Sequence, residues 1–237
     1  LIEAVTANGI TGLGDEAITV DSGTATTAQA NDLADETSGI VTATIAEGDL
    51  ATLAGLTGTG NAYSITIDDA AVDAAALNTL DGKTTVAIDA AAITTLTGAA
   101  VDLNTAFDSG GISNLGDQDV TLTDTSLTAS VLNALDDNTT GSIDASTLNT
   151  LTGAAVDLNT AFDSGGISNL GDEDVTLTDT SLTASVLNAL DGNTTGSIDA
   201  SAVTTLSGTA TDLIEAVTAN GITGLGDEAI TVDSGTA

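Results

Sequence analysis

The chain has 237 residues, 35 acidic side chains and a single basic one, Lys83, which gives a formal net charge of −34 at pH 7. One basic side chain cannot neutralise a row of phosphates, and an acidic surface repels anionic lipids, so we expect neither nucleic-acid binding nor binding to membrane surfaces. The absence of Cys excludes disulfides and thiolate metal sites, and no apolar run approaches the roughly 20 residues that membrane insertion requires.

High net charge on its own is typical of disordered chains, because like charges repel one another. Here, however, 41% of the residues are hydrophobic, and they recur in short alternating runs such as Ile65/Ile67 and Val120/Leu122. A disordered acidic tail does not place its aliphatic residues in register. We therefore predict a folded, strongly acidic protein.

Internal repeats dominate the sequence. Residues 103–157 and 158–212 align without gaps over 55 positions and differ at eight of them, and residues 1–25 recur unchanged as 213–237. A fixed period of this kind is typical of repeat architectures. We interpret the chain 1–237 as a single array made of a diverged double unit (1–102), two repeats (103–157 and 158–212) and the start of the next 212-residue super-repeat (213–237).

Nine short runs rich in Val, Ile, Leu and Thr are typical of half-buried strands, because apolar and polar residues alternate within them. Their central apolar residues are Val20, Ile45, Ile67, Ile88, Leu122, Ile143, Leu177, Ile198 and Val232. Neighbouring centres lie 21 to 34 residues apart, and the later steps alternate between 21 and 34. We expect each run to pair in parallel with the next one along the chain.

Segments with helical spacing follow these runs. One predicted helical face consists of Leu127, Val131, Leu132 and Leu135, with Asp124 or Ser126 as the N-cap. A second face consists of Ala210, Leu213, Ile214 and Val217, and its helix ends near Asn220 and Gly221. A short step then contains a strand and one helix, and a long step adds a second helix and a loop.

One strand and one helix cannot bury their own apolar faces, but stacking successive copies can. The predicted fold class is therefore α/β: a tandem-repeat solenoid of stacked strand–helix coils with a parallel β-sheet on one side. The alternative is an all-β solenoid in which the helical segments are further short strands, because Thr, Ser and Val are mediocre helix formers.

Acidic residues also recur directly after the strand centres. Stacking would place Asp68 and Asp89 on adjacent strands, where like charges are unfavourable. In the later repeats Thr123 and Thr178 stand at the same place and relieve part of this repulsion. Bound Ca²⁺ or Na⁺ would offset what remains.

A second acidic cluster occurs before and after a strand in each 55-residue repeat. It consists of Asp117, Asp119 and Asp124, with the copies Asp172, Asp174 and Asp179. Ca²⁺ takes six to eight oxygen ligands, and Asp-x-Asp spacing permits this, although the Gly and Glu that complete an EF-hand are missing. Two interpretations stay open: these residues cap turns and helices, or they bind calcium, which is the only cofactor that the sequence suggests.

We expect no enzymatic activity. The chain has no His or Cys, and its one Lys lies in a turn, LDGKTT. Paired carboxylates support glycoside chemistry in some enzymes, but here they recur in every repeat, whereas a ligand cleft normally interrupts a repeat.

Several segments carry a family resemblance, among them GITGLGDEAITV, LNTLDGKTTVAIDA and ATIAEGDLATLAGLTGTGNAYSITID. Together they resemble the repeats of giant cell-surface proteins of marine unicellular cyanobacteria, a group similar to the very large surface protein that these cells need for swimming without flagella. The resemblance covers the whole chain. It implies an extracellular, repetitive structural protein with no catalytic residues to assign, and it connects the chain with cell motility.

Three functions follow as hypotheses. The first is a structural repeat module, a stiff acidic rod at the cell surface or in a filament, whose partners are neighbouring repeats of the same chain and laterally associated copies. The second is a segment of a calcium-dependent adhesin. The third is the shaft of a phage or other host-binding fibre, for which a trimer in solution would be expected.

Overall fold

A computed structural model describes residues 14–233. Over these residues the protein is an α/β structure with eight helices and parallel strand pairs in several sheets. The α/β prediction is confirmed, and the all-β alternative is wrong, because the segments with helical spacing do form helices despite their Thr, Ser and Val content. The helix predicted for the first copy of the 25-residue repeat, over 1–9, lies outside the described residues.

The chain divides into two compact units. The first comprises the described residues up to 98 together with 102–118, and the second comprises 99–101 and 119–233. The repeat boundary between 102 and 103 stays a prediction, as does the single array over the whole chain.

The first unit contains three helices and seven strands. The helices are α1 (Thr27–Asp35), α2 (Leu50–Leu53) and α3 (Ala74–Asp81). The strands are β1 (Ile18–Thr19), β2 (Val41–Thr44), β3 (Ala62–Ser64), β4 (Ala71–Asp73), β5 (Ile88–Asp89), β6 (Thr95–Gly98) and β7 (Ile112–Ser113). Strand β2 pairs with β1 and β3, β4 pairs with β6, and β5 pairs with β7, always in parallel. Helix α4 (Ala100–Asp108) has residues in both units.

The second unit contains four further helices and eleven strands. The helices are α5 (Ala129–Asn138), α6 (Ala155–Asp163), α7 (Ala184–Asn193) and α8 (Ala210–Thr218). The strands are β8 (Asp119–Leu122), β9 (Ser126–Thr128), β10 (Ile143–Asp144), β11 (Thr150–Gly153), β12 (Ile167–Ser168), β13 (Asp174–Leu177), β14 (Ser181–Thr183), β15 (Ile198–Asp199), β16 (Thr205–Gly208), β17 (Ile222–Thr223) and β18 (Ala229–Val232).

Three sets of parallel strands run through the second unit. In chain order they are β8, β10 and β12; β9, β11, β13, β15 and β17; and β14, β16 and β18. Within each set, the offset between paired residues is nearly constant. Ile143, for example, is paired with Val120 on one side and with Ile167 on the other.

The predicted alternation of short and long steps is therefore wrong for this unit. The sequence interpretation missed strand β11, which is the segment TLTG, and it took the segment of β12 for a loop. Strands of two to four residues are too short to show a clear alternation of apolar and polar residues, so their pattern does not separate them from loops or helix ends.

Two strands explain how a 55-residue sequence repeat fits a shorter pairing step. Strands β9 and β14 are copies of each other in successive repeats, each at one edge of its own sheet, and each leads directly into a helix, α5 or α7. One sequence repeat thus contains two pairing steps and one additional short strand. The additional strand begins a new sheet.

Helices α5 and α7 begin later than the apolar spacing predicts. Leu127 lies in β9, the N-cap of α5 is Thr128, and neither Asp124 nor Ser126 fills that role. The buried residues of α5 are Ala129, Leu132 and Leu135. The buried face of α5 therefore starts with a small residue, Ala129. The sequence pattern had placed the larger Leu127 at the start of this face.

In helix α8 the buried face also differs from the predicted one. Leu213 and Ala216 are buried, whereas Ile214 is 63% exposed and Val217 is 48% exposed. The four predicted residues satisfy helical spacing, but they span a wider arc than the helix buries. Thr209 caps this helix by accepting a hydrogen bond from the Asp212 N–H.

Candidate functional site

The aspartates that follow the strand centres of β10 and β15 do not lie opposite other acids. Asp144 is paired with Thr121 on one neighbouring strand and with Ser168 on the other. Asp199 is likewise paired with Thr176 and Thr223. The expected carboxylate repulsion across adjacent strands is therefore absent at these two positions, because hydroxyl residues separate the acids.

Asp144 is held by two hydrogen bonds to its Oδ1 atom. The side-chain amide of Asn169 donates one at 2.7 Å, and the Ser146 N–H donates the other at 3.0 Å. These bonds, the one from Asn169 foremost, hold the pKa of Asp144 below its ordinary value of 3.8. Asn169 has a left-handed backbone with φ of 61°, which Asn tolerates better than most residues, and its copy in the next repeat is Gly224 with φ of 81°.

We expect the Asp144–Asn169 pair to make stability depend on pH in acid. Because the folded chain lowers the pKa of Asp144, its contribution is complete above 3.8 and is lost as the pH falls through the folded value. The variant Asn169→Gly, which copies Gly224, should move the pKa of Asp144 toward 3.8. The Ser146 N–H should still keep it lower. A carboxyl-detected NMR titration measures both values, and an Asp144 pKa that is the same in both chains would contradict this prediction.

Asp124 and Asp179 cap helices that begin about one pairing step earlier in the chain. Oδ2 of Asp124 accepts a hydrogen bond of 2.7 Å from the Ala100 N–H, the first residue of α4. Oδ2 of Asp179 accepts one of 2.7 Å from the Ala155 N–H, the first residue of α6. A carboxylate at a helix N-terminus satisfies an otherwise unpaired N–H and is favoured by the helix dipole.

We expect Asp179→Ala to lower the free energy of unfolding by about 0.5–2 kcal/mol, the usual cost of losing a side-chain cap. Urea unfolding in EGTA measures this, and Asp137→Ala serves as the control because Asp137 is exposed and its copy in the next repeat is Gly192. A loss at Asp179 that appeared only in the presence of Ca²⁺ would favour metal binding over capping.

The other four predicted metal ligands lie around the start of β8 and β13. Asp119 and Asp174 accept hydrogen bonds from the Ser142 N–H at 2.9 Å and the Ser197 N–H at 2.8 Å. These two bonds join each strand to the next one in its set. Two further aspartates, Asp117 and Asp172, flank the same strands, and Oδ1 of Asp117 accepts from the Gln118 side chain at 2.9 Å.

In each predicted cluster, two of the three aspartates thus accept hydrogen bonds from backbone N–H groups in different parts of the chain. Among residues 14–233, no group of three or more Asp, Glu, His or Cys side chains is arranged to hold a metal ion. The geometry favours the capping interpretation for Asp119, Asp124, Asp174 and Asp179. Calcium binding by the two predicted clusters of three aspartates stays a prediction.

Sequence reasoning missed a recurring contact between helices. The side-chain amides of three asparagines donate to the backbone carbonyl of an aspartate in the following helix. The pairs are Asn78 with Asp102 at 2.8 Å, Asn133 with Asp157 at 2.9 Å, and Asn188 with Asp212 at 3.0 Å. The 55-residue spacing of these asparagines was the available signal, since a polar residue kept on a packed helix has a partner as a rule.

A buried polar position just before the apolar core residues of β8 and β13 was also missed. Gln118 is 3% exposed and its copy Glu173 is 1% exposed, although charged and amide side chains are seldom fully buried. Their position in the loop LGD(Q/E)D is typical of exposed residues, because loops lie on the surface as a rule. The exchange of Gln for Glu was visible in the repeat alignment. Burial makes it important, because a buried charge is costly without a partner.

Comparison with known proteins gives no relative from which a function could be transferred. The chain matches no protein-family model, no curated protein and no solved structure. Within the described part of the chain, no helix has both the length and the apolar character needed to cross a membrane.

Proposed function

We propose that this chain is a structural repeat module, an α/β solenoid whose coils stack into a stiff acidic rod. The rod would be part of a giant extracellular protein, at the cell surface or in a filament, and would have no enzymatic activity. The observation that carries the proposal is the nearly constant pairing offset in all three strand sets of the second unit. A constant offset is what stacked coils of equal length produce.

Polar contacts support the same proposal, because they link one coil to the next. The aspartate caps of α4 and α6 come from one coil further on, and so does the carbonyl that each helix asparagine binds. Each coil thereby satisfies polar groups of its neighbour. A chain that used a pocket for its function would have no need to repeat these contacts at a constant offset.

Exposed apolar residues in β18 also fit a continuing stack. Ile230 and Val232 are 52% and 59% exposed. Their counterparts in the preceding repeat, Val175 and Leu177, are 1% and 2% exposed, and a further strand pairs beside Val175 there. A further coil packed in the same way would bury Ile230 and Val232, and each residue so buried contributes about 1.5–3 kcal/mol.

The length of engineered arrays tests this proposal. We expect each added copy of residues 158–212 to lengthen the particle by about 10 Å, since one repeat advances two strand spacings of about 4.8 Å. Small-angle X-ray scattering of chains with zero to four added copies measures the maximum dimension. A maximum dimension that grew only as the cube root of the mass would show a globular particle and would contradict the rod. A trimeric particle would favour the fibre-shaft hypothesis.

The net charge gives the proposed rod a surface that repels other copies. A net charge of −34 keeps copies apart at low ionic strength, and at the ionic strength of sea water the Debye length falls to a few ångströms. Lateral self-association of rods would therefore require high salt. Sedimentation of the longest engineered array at about 0.05 M and about 0.5 M NaCl tests this, and association at low salt alone would contradict it.

A further inference from the structure

The buried carboxylate of Glu173 has one satisfied oxygen and one that has no partner. Oε2 accepts hydrogen bonds from the Gly171 N–H at 2.8 Å and the Asp172 N–H at 3.2 Å. Oε1 is fully buried and makes no hydrogen bond with any described protein group. A buried polar atom without a partner is costly and calls for an explanation, and the cost is greater for a charged group.

The preceding repeat shows what this position is built to hold. There Oε1 of Gln118 accepts from the Gly116 N–H at 2.7 Å and the Asp117 N–H at 3.2 Å, which are the same two bonds. The other end of the amide, Nε2, donates to three oxygens. They are the carbonyl oxygens of Ile93 and Asn114, each at 3.3 Å, and Oδ1 of Asp117 at 2.9 Å.

The copies of those three oxygen-bearing residues in the next repeat are Leu148, Asn169 and Asp172. In this second copy Glu173 replaces the hydrogen-donating Nε2 of the amide by a bare oxygen. If the oxygens around Gln118 are matched by their copies, Oε1 of Glu173 faces an aspartate oxygen and two main-chain carbonyl oxygens. Oxygen atoms in such a group repel one another unless a positive centre lies between them.

We propose that Glu173 forms a Ca²⁺ site with Asp172 and the main-chain carbonyl oxygens of Leu148 and Asn169. All of the ligands are oxygens, two of them are charged, and main-chain carbonyls are typical Ca²⁺ ligands. Mg²⁺ demands a stricter octahedron and gives up its water reluctantly, so a partly buried loop with carbonyl ligands suits it less. The proposed site does not include Asp174 and Asp179, whose carboxylates accept hydrogen bonds from the N–H groups of Ser197 and Ala155.

One of the proposed ligands, Asp172, lies beside a depression in the surface. Ser146, Asn169, Leu170 and Gly171 also line this shallow depression. Water molecules from this depression can complete the six to eight ligands that Ca²⁺ requires. The site contains only two carboxylates, so it differs from the clusters predicted from the sequence.

The third copy of the position is not equivalent. Glu228 is only partly buried, and both of its carboxylate oxygens accept a hydrogen bond of 2.9 Å from the Gly226 N–H. It therefore lacks the buried oxygen without a partner. We expect one specific Ca²⁺ site in residues 14–233, at Glu173.

Calorimetric titration of the full chain with Ca²⁺, after dialysis against EGTA and in about 0.15 M KCl to screen diffuse binding, tests the site. Glu173→Gln should remove one bound ion per chain, because it restores the amide found at Gln118. The reverse change, Gln118→Glu, should add one. The control Asp137→Asn removes one exposed charge in the preceding repeat and should leave the number of bound ions unchanged.

Thermal melting gives an independent measurement that does not require the variant Gln118→Glu to fold. Ca²⁺ should raise the melting temperature of the unsubstituted chain, since a ligand that binds only the folded state stabilises it. Glu173→Gln should melt higher than the unsubstituted chain in EGTA and should show a smaller response to Ca²⁺.

Three results would overturn the proposal. The number of bound ions could stay the same in Glu173→Gln. Mg²⁺ could match Ca²⁺ in the number of ions bound and in the rise of the melting temperature. The unsubstituted chain could also gain stability from a fall in pH and none from Ca²⁺, which would mean that a proton occupies the site. None of these results depends on whether the chain forms a rod, because all three concern one loop of the second unit.

Discussion

Replacing Leu158 by Ala should lower the free energy of unfolding by about 2–5 kcal/mol, the usual range for a large-to-small change in a packed core. Leu158 lies in α6 and its side chain is completely buried. Val156, in the same helix, is 66% exposed. Val156→Ala should therefore change stability by less than about 0.5 kcal/mol, and the better helix propensity of Ala favours a small gain.

The two variants are compared by urea unfolding followed with far-ultraviolet circular dichroism. They share a helix and the final residue, so differences in helix propensity cannot account for a large gap between them. If Val156→Ala cost as much as Leu158→Ala, the buried face of α6 would be misplaced. Because a chain can open locally as well as globally, the amide exchange rates of α6 in the folded state provide a local check.

A methyl group at Gly196 should destabilise the chain by about 1–3 kcal/mol, the usual cost of overpacking. A Cβ atom there would collide with the backbone oxygen and carbon of Glu173 and would lie 2.8 Å from the backbone nitrogen of Asp174. These are main-chain atoms of the neighbouring loop and strand, so they cannot rotate away as a side chain could. Thermal and urea unfolding in EGTA measure the loss without interference from metal binding.

Gly192→Ala is the matched control for Gly196→Ala. Gly192 lies in helix α7, no atom stands within 4 Å of the place that its Cβ would take, and the preceding repeat carries Asp137 there. Ala in a helix is favoured over Gly by about 0.5–1 kcal/mol, so this variant should gain stability. Equal losses for Gly192→Ala and Gly196→Ala would show that the close approach at Gly196 does not exist.

Much of the helix content was predictable from the sequence. The segments around Leu132 and Leu213 show apolar residues at helical spacing, and both form helices. The membership of the buried face was not predictable, because α5 and α8 bury a narrow arc in which Ala129 and Ala216 take part. A small residue can face the core where two backbones approach closely, and hydropathy does not record that distance.

The predicted acidic clusters show a second limit of sequence reasoning. Asp119 and Asp124 are close in sequence, but they bind the backbone of Ser142 and Ala100, which lie 23 and 24 residues away in opposite directions along the chain. Spacing along the chain shows which carboxylates can lie close together. It does not show which backbone N–H groups bind those carboxylates in place of a metal ion. Glu173 lies between two predicted ligands, Asp172 and Asp174, but nothing in the sequence indicates that it is buried.

Composition and periodicity were enough to establish the acidic charge and the 55-residue repeat, because they are properties of the chain alone. The choice between the α/β and the all-β class needed the structure. The constant pairing step became visible only in three dimensions, since short strands such as β12 pair with strands about 24 residues away in the chain. The same holds for Glu173. Its charge was visible in the sequence, but only the folded structure shows that one of its oxygens is buried without a hydrogen-bond partner.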